Sequence, residues 1–346
     1  MRISTQLSYQ GGFEEAAREV VELERVGLDV VWVAEAYGFD AVSLMGYLAA
    51  LTERVQIGSG ILPIYSRTPT LLAMTAAGVD VLSGGRCILG LGASGPQVVE
   101  GWHGVPYDRP LGRTREIVDI CRKVWAREER LTNDGPLYPL PLPPGRGTGL
   151  GRALKSIAHP VRSRIPIFVA SLGAKNVALT AEVADGWLPL FFLPERASDA
   201  FGPALAEGTA RREADLDPLD ICAGGVAFIG GEEESRAVLD AHARPIMALY
   251  IGGMGAKGRN FYNDLVRRYG YEEDAAAIQD LYLSGHKREA AARVPDELLR
   301  LTNLCGSPGF VRERMAAFRE AGVTTLNVMP AGPDPVATVA QLKAWA

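Results

Sequence analysis

Short apolar runs alternate with helical patterns from the start of the chain. Residues 3–7 form one run, residues 13–26 carry apolar Ala16, Val20, Leu23 and Val26 with acids between them, and Val30-Val31-Trp32-Val33-Ala34 follows. That spacing predicts strand, helix, strand, with Gly27 closing the helix. The unit repeats: a helix over 41–51 leads to a strand over 55–58, and a helix over 69–82 leads to a strand over 87–91. Strands this apolar are expected to be buried on both faces, as in a parallel sheet.

After Gly92 the pattern predicts a glycine-rich turn, a long helix over about 113–129, and an irregular segment over 133–165 dense in Pro, Gly, Arg and Leu. A structureless stretch of that length is usually functional or mobile. Strands are then expected over 167–170, 186–188 and 221–229, with helices near 176–184 and 197–213. A helical stretch over 232–251 and several short helices over 252–304 precede a helix over 308–321, the eighth strand over 325–329 and a last helix over 335–345. No internal repeat is evident beyond this alternation.

Eight such strands suit an α/β fold of the (β/α)8 TIM-barrel type, one domain over 1–346 with insertions at about 133–165 and 252–304. An open doubly wound sheet is the alternative. The first strand is not followed by GxGxxG, which favours the barrel and places the chemistry at the C-terminal ends of the strands.

With 346 residues, 47% hydrophobic and 22% charged, the chain can bury a large core. A net charge of -5 gives no broad attraction to nucleic acid or anionic membrane. Cys87, Cys121, Cys222 and Cys305 are widely spaced, so neither a metal framework nor a redox pair is indicated, and free thiols in a reducing cytoplasm are expected. The chain opens on a strand-like run, and no apolar stretch is long enough to span a bilayer. A cytoplasmic location is therefore expected.

Functional candidates are expected from the first five strand ends: residues 6–9, 35–40, 58–63, 92–97 and 171–175. Gly58-Ser59-Gly60 interrupts a buried strand that resumes at Ile61-Leu62-Pro63. This reads either as a bulge where backbone meets a ligand or as a plain strand-to-loop turn. Gly92-Ala93-Ser94-Gly95 and Ser171-Leu172-Gly173-Ala174 are small-residue turns before helices, suited to holding a phosphate on free amides or simply to capping. Glu35 ends the second strand and can orient a ring, serve as acid or base, or make a structural hydrogen bond. His103 is the one histidine near a strand end, and is a catalytic or a structural candidate. GxSxG, HExxH and the Walker loop are all missing.

Taken in order, several segments resemble the luciferase-like oxidoreductase superfamily, in its coenzyme F420-dependent branch. They are Val31-Trp32-Val33-Ala34-Glu35-Ala36-Tyr37-Gly38, the run over 57–69, Ser83-Gly84-Gly85-Arg86 with Leu89-Gly90-Leu91-Gly92, Arg113-Thr114-Arg115-Glu116, Ile165-Pro166-Ile167 with Ser171-Leu172-Gly173, and Ala321-Gly322-Val323. The resemblance covers nearly the whole chain. It implies a cis peptide at Gly60-Ile61 under one face of the deazaflavin, the cofactor phosphate at Ser171, Leu172, Gly173 and Ala174, and Gly92, Ala93 and Ser94 along the ring and ribityl chain. It also implies Glu35 near the ribityl hydroxyls and a homodimer.

Related alcohol and sugar-phosphate dehydrogenases follow the acid with a histidine and then a tryptophan. Here those positions are Ala36 and, approximately, Asp40. The resemblance thus implies hydride transfer between C5 of F420 and a small organic substrate, as a reductase rather than a sugar-phosphate dehydrogenase, with Glu35 or His103 as proton-transfer group. An FMN-dependent monooxygenase and an F420-binding protein without turnover are the rival readings. Arg146, Arg152, Lys155, Arg162 and Arg164 are expected either in a lid over the anionic cofactor tail or in a solvated basic loop.

Overall fold

The computed structural model describes residues 1–7 and 12–346. Eight parallel strands, Arg2–Gln6, Val30–Val33, Gln56–Ser59, Cys87–Gly92, Ile167–Ala170, Gly186–Trp187, Asp220–Ala223 and Thr325–Pro330, pair in that order. The first pairs with the last from Arg2↔Thr325 to Thr5↔Val328, which closes the expected barrel. Helices wrap the outside through their apolar stripes; Phe13–Arg25, for example, buries Ala16, Ala17, Val20 and Leu23.

The barrel interior holds Val30, Trp32, Ile88, Phe168 and Cys222. Trp32 and Phe168 are the largest side chains of that cluster, their ring centroids 5.3 Å apart. Gly58 lies against the indole so closely that a Cβ there would fall 2.3 Å from Trp32. All four cysteines are free and buried, and burial pushes the Cys222 thiol up to about 11.

Three sequence expectations shift. The helix placed over 113–129 is Pro110–Ala126, and that placed over 197–213 is Pro194–Thr209. In both, a proline preorganised for the first helical turn sets the start. The seventh strand, expected unbroken over 221–229, divides at Gly224-Gly225 into Asp220–Ala223 and Val226–Ile229. The second half pairs with the end of the eighth strand and with an unforeseen strand, Leu304–Gly306, while Asn303 Oδ1 accepts the Val226 amide at 2.7 Å.

The basic segment over 133–165 is not a lid. Strands of this barrel rise to the mouth and helices return to the opposite end, so a segment that follows Pro110–Ala126 and precedes Ile167–Ala170 begins and ends at the floor. Arg162 pairs there with the buried Asp80 and donates to the Cys87 carbonyl; Arg164 pairs with Asp185 and Asp215, and Lys155 donates to the Glu128 carbonyl. The 252–304 region, by contrast, builds onto the mouth. It is entered through a helix of mixed pitch whose π-helical parts are Leu239–Ala243 and Leu249–Gly253. Helices Phe261–Arg268, Glu272–Leu283, Lys287–Ala292 and Asp296–Leu301 follow.

Candidate active site

The third strand carries the central feature. Its residues pair Gly58↔Ile88 and then Leu62↔Leu91, so three residues on one strand face two on the other. That is a bulge, and the Gly60-Ile61 bond within it is cis. Ser59 bridges the interruption: its Oγ donates to the Gly90 carbonyl and accepts from the Gly90 amide, both at 2.8 Å. A Cβ on Gly90 would strike the Ser59 carbonyl at 1.8 Å, and one on Gly92 would meet the Ile61 side chain at 2.8 Å. The fourth strand is therefore cleared of side chains where the bulge presents Ile61.

Glu35 is less free than its position at a strand end suggests. One carboxylate oxygen accepts from Arg67 at 2.5 Å; the other accepts from Arg67 at 2.8 Å and from the Ala41 amide at 3.0 Å. Arg67 also pairs with Asp40 at 2.9 Å, and its link to Glu35 raises the guanidinium further above its ordinary range. Burial alone would raise the Asp40 carboxyl, but the hydroxyl and amide of Ser43, the amide of Val42 and the Arg67 charge outweigh it and hold it low. Glu35, Arg67 and Asp40 thus lock the second and third strand ends together.

The turn after the fifth strand feeds helix Ala174–Val183, whose N-cap is Gly173 with no side-chain cap. Its leading amides are consequently not covered by a local side chain, unlike those of Ala41–Leu51, where Asp40 accepts from Val42 and Ser43. Ser171 itself is buried, its Oγ 2.8 Å from Thr180 Oγ1, and the Leu172 carbonyl accepts from Arg268. The Asn176 side-chain amide, in the first turn of this helix, has a buried Oδ1 without a partner. After the fourth strand, Ser94 turns the chain in a left-handed conformation, φ 56°, and is exposed ahead of the short helix Pro96–Val99. His103 follows that helix; it is half-buried, with a buried Nε2 that has no hydrogen-bond partner.

Expectation drew candidates only from the first five strand ends, and the mouth is wider than that. Phe191, after the sixth strand, packs edge-on against Tyr250 at 5.6 Å and Tyr262 at 6.2 Å, and those two tyrosines lie 4.7 Å apart. Tyr37 and the exposed Trp102 meet at 6.5 Å, and Tyr37 lies near enough to Tyr250 to influence its ionisation. Burial pushes the phenols of Tyr250 and Tyr262 up, so both remain neutral hydroxyls. The available signal was aromatic density, Phe191-Phe192, Tyr250 and Phe261-Tyr262, in segments outside those five strand ends. Ser59 and Arg67 stood within the resembling run but had no assigned role. Ser8 and Tyr9, also among the first-strand candidates, lie outside the described residues. No group of three or more His, Cys, Asp or Glu among the described residues is placed to hold a metal ion.

Comparison with known proteins agrees with this architecture. A Mycobacterium tuberculosis protein provisionally named as a coenzyme F420-dependent oxidoreductase is 44% identical over 346 residues, 99% of each chain. A 5,10-methylenetetrahydromethanopterin reductase of Archaeoglobus fulgidus is 28% identical over 321 residues, 90% of this chain and 88% of that one. The structure of the coenzyme F420-dependent tetrahydromethanopterin reductase from Methanopyrus kandleri superposes with a TM-score of 0.78 at 20% identity, covering 99% of this chain and 96% of that one, a likeness of fold. The family model for luciferase-like monooxygenases matches residues 1–325, and the chain belongs to that family.

Proposed function

We propose that this protein is a coenzyme F420-dependent oxidoreductase that passes hydride between C5 of the deazaflavin and a small organic substrate, working as a reductase. The observation that carries the reading is the near-full-length likeness to a relative named for that cofactor. The residues present fit the group. A flat ring suits the side-chain-free wall at Gly90 and Gly92 opposite the Gly60-Ile61 bulge. The uncapped amides around Leu172, Gly173 and Ala174, with the helix dipole behind them, suit its phosphate. Gly92, Ala93 and Ser94 would follow the ribityl chain.

When bound in reduced form, the cofactor supplies a hydride. The chain supplies position and a proton. Glu35 already accepts hydrogen bonds from Arg67 and the Ala41 amide, so it is not the group proposed to exchange a proton with the substrate. Its part is to fix the wall beside Ala36. His103, with an unengaged buried Nε2, is the proposed proton donor to the substrate. The rings of Tyr37, Trp102, Phe191, Tyr250 and Tyr262 would hold an apolar substrate and limit water. A homodimer is part of the proposal, and no described helix is long and apolar enough to cross a membrane.

Absorbance and fluorescence titration with F420 and, separately, FMN tests the cofactor, followed by anaerobic oxidation of reduced F420 against enones, imines and quinones. Saturable F420 binding with turnover of at least one acceptor is expected. FMN binding with negligible affinity for F420 would overturn the cofactor assignment, and tight F420 binding with no turnover across the panel would leave a carrier in place of an enzyme.

A further inference from the structure

A second cavity lies away from the barrel mouth, under helix Phe261–Arg268. It has a volume of about 390 Å³ and is lined by polar side chains that include Lys257, Asn260, Asn263, Asp264, Arg267 and Gln279. Tyr262 points to the mouth, and Asn263, Asp264 and Arg267 fall at helical spacing on the other side of the same helix. The two sites are therefore back to back.

The walls are built and mostly saturated. Asn260 Nδ2 donates to the carbonyls of Tyr250 and Ile251, which the π-helical turn leaves over, and its Oδ1 accepts the Tyr262 and Asn263 amides. Asn263 Nδ2 donates to the Ile251 and Ala275 carbonyls and its Oδ1 accepts from Arg267 Nε at 2.7 Å. Against this order, Gln279 is an anomaly. It is 3% exposed, yet its Nε2 has no partner. An unpaired buried amide destabilises a fold unless something fills its place.

Charge narrows the occupant. Among the described residues Arg267 donates only through Nε, which leaves its terminal nitrogens to grip a carboxylate. Lys257 at the rim is already paired with Asp280. Asp264 lines the same space and has no ion pair among the described residues, which penalises a bare anion and favours a ligand that also carries an ammonium group. We infer that this cavity binds a small zwitterion of amino-acid size, its carboxylate on the Arg267 terminal nitrogens and its ammonium on Asp264, with the buried Gln279 amide turning over to bring Nε2 to the carboxylate. The site stands independently of the cofactor assignment.

The test is a thermal-shift and calorimetric panel of the free amino acids on the full chain, alongside their N-acetyl and carboxamide derivatives, with and without saturating F420. At least one free amino acid is expected to raise Tm saturably, with binding weakened tenfold or more by N-acetylation or amidation and by Arg267→Met. Gln279→Leu is expected to abolish binding while leaving the ligand-free Tm equal to or above the parent, because it removes an unpaired amide; that reading separates lost binding from lost folding. A panel with no binder, binding that survives both substitutions, or a response abolished by F420 would each overturn the inference.

Discussion

The two insertions make a useful pair. The 133–165 segment and the 252–304 region are similar in the sequence, each an interruption of the strand-helix rhythm, but they fall at opposite ends of the barrel, and those ends gather different groups. At the floor, charges are consumed: Arg162 on Asp80, Arg164 and Arg122 on Asp185, Arg2 on Asp220, Lys343 on Asp29. At the mouth, rings stand exposed or half-exposed, and polar atoms such as His103 Nε2 are left without partners. A floor so rich in ion pairs serves stability; under the proposed function, the rings of the mouth are what a ligand would meet.

The largest effect expected from breaking this contrast comes from Asp80, a fully buried carboxylate. Asp80→Ala strands Arg162 and the Cys87 amide, and loss of one partner of a buried pair costs about 3–5 kcal/mol. In a thermal melt this is a drop on the order of 10 °C, with F420 affinity of the folded protein unchanged. An unchanged melt would erase the floor's role.

Ser59→Ala sits between the two regimes. It leaves the buried Gly90 amide and carbonyl without the hydroxyl that joins them, which costs about 1–3 kcal/mol, and unlike Asp80→Ala it should also weaken F420 binding. Equal affinities in the two variants would detach the bulge from the cofactor. Trp102→Ala reverses the pattern: the ring is 66% exposed, so stability should move by about 0.5 kcal/mol or less while KM for the electron acceptor rises. A fall in Tm with unchanged KM would reassign Trp102 to packing.

The smallest effect is in pH. The folded Asp40 carboxyl is held below its ordinary value of 3.8, so its contribution to the Arg67 clamp is complete above that value and is lost as pH falls through the lowered one. Asp40→Asn should therefore lower the neutral plateau slightly and flatten the acid limb below about pH 4, where the two proteins converge. A difference confined to pH 6–8 would point to another group.

How far the sequence was legible follows the same division. The barrel could be read because each strand is a short apolar run bounded by turn residues; the glycines flanking Ser59 left the bulge one of two readings, and the family resemblance pointed to the cis bond. Charge alone left Arg162 and Arg164 between a lid and a solvated loop, although connectivity held the answer, since a segment between a helix and the next strand must lie at the floor. The pairing of Glu35 with Arg67 spans 32 positions and depends on two strand ends being brought side by side, which no local pattern reports. Tyr250 and Tyr262 were hidden for a related reason: their place at the mouth depends on how the inserted helices dock onto Phe191.

The break in the seventh strand has a consequence for how such a protein can change over generations. Because Val226–Ile229 and Leu304–Gly306 pair with each other above the closed ring, the stretch between them is held like a cassette between two clips. Helices within it can be lengthened, lost or exchanged without shifting the register of any ring strand. A lineage can thus try new mouths on an old foundation, leaving the bulge and the turn after the fifth strand in place.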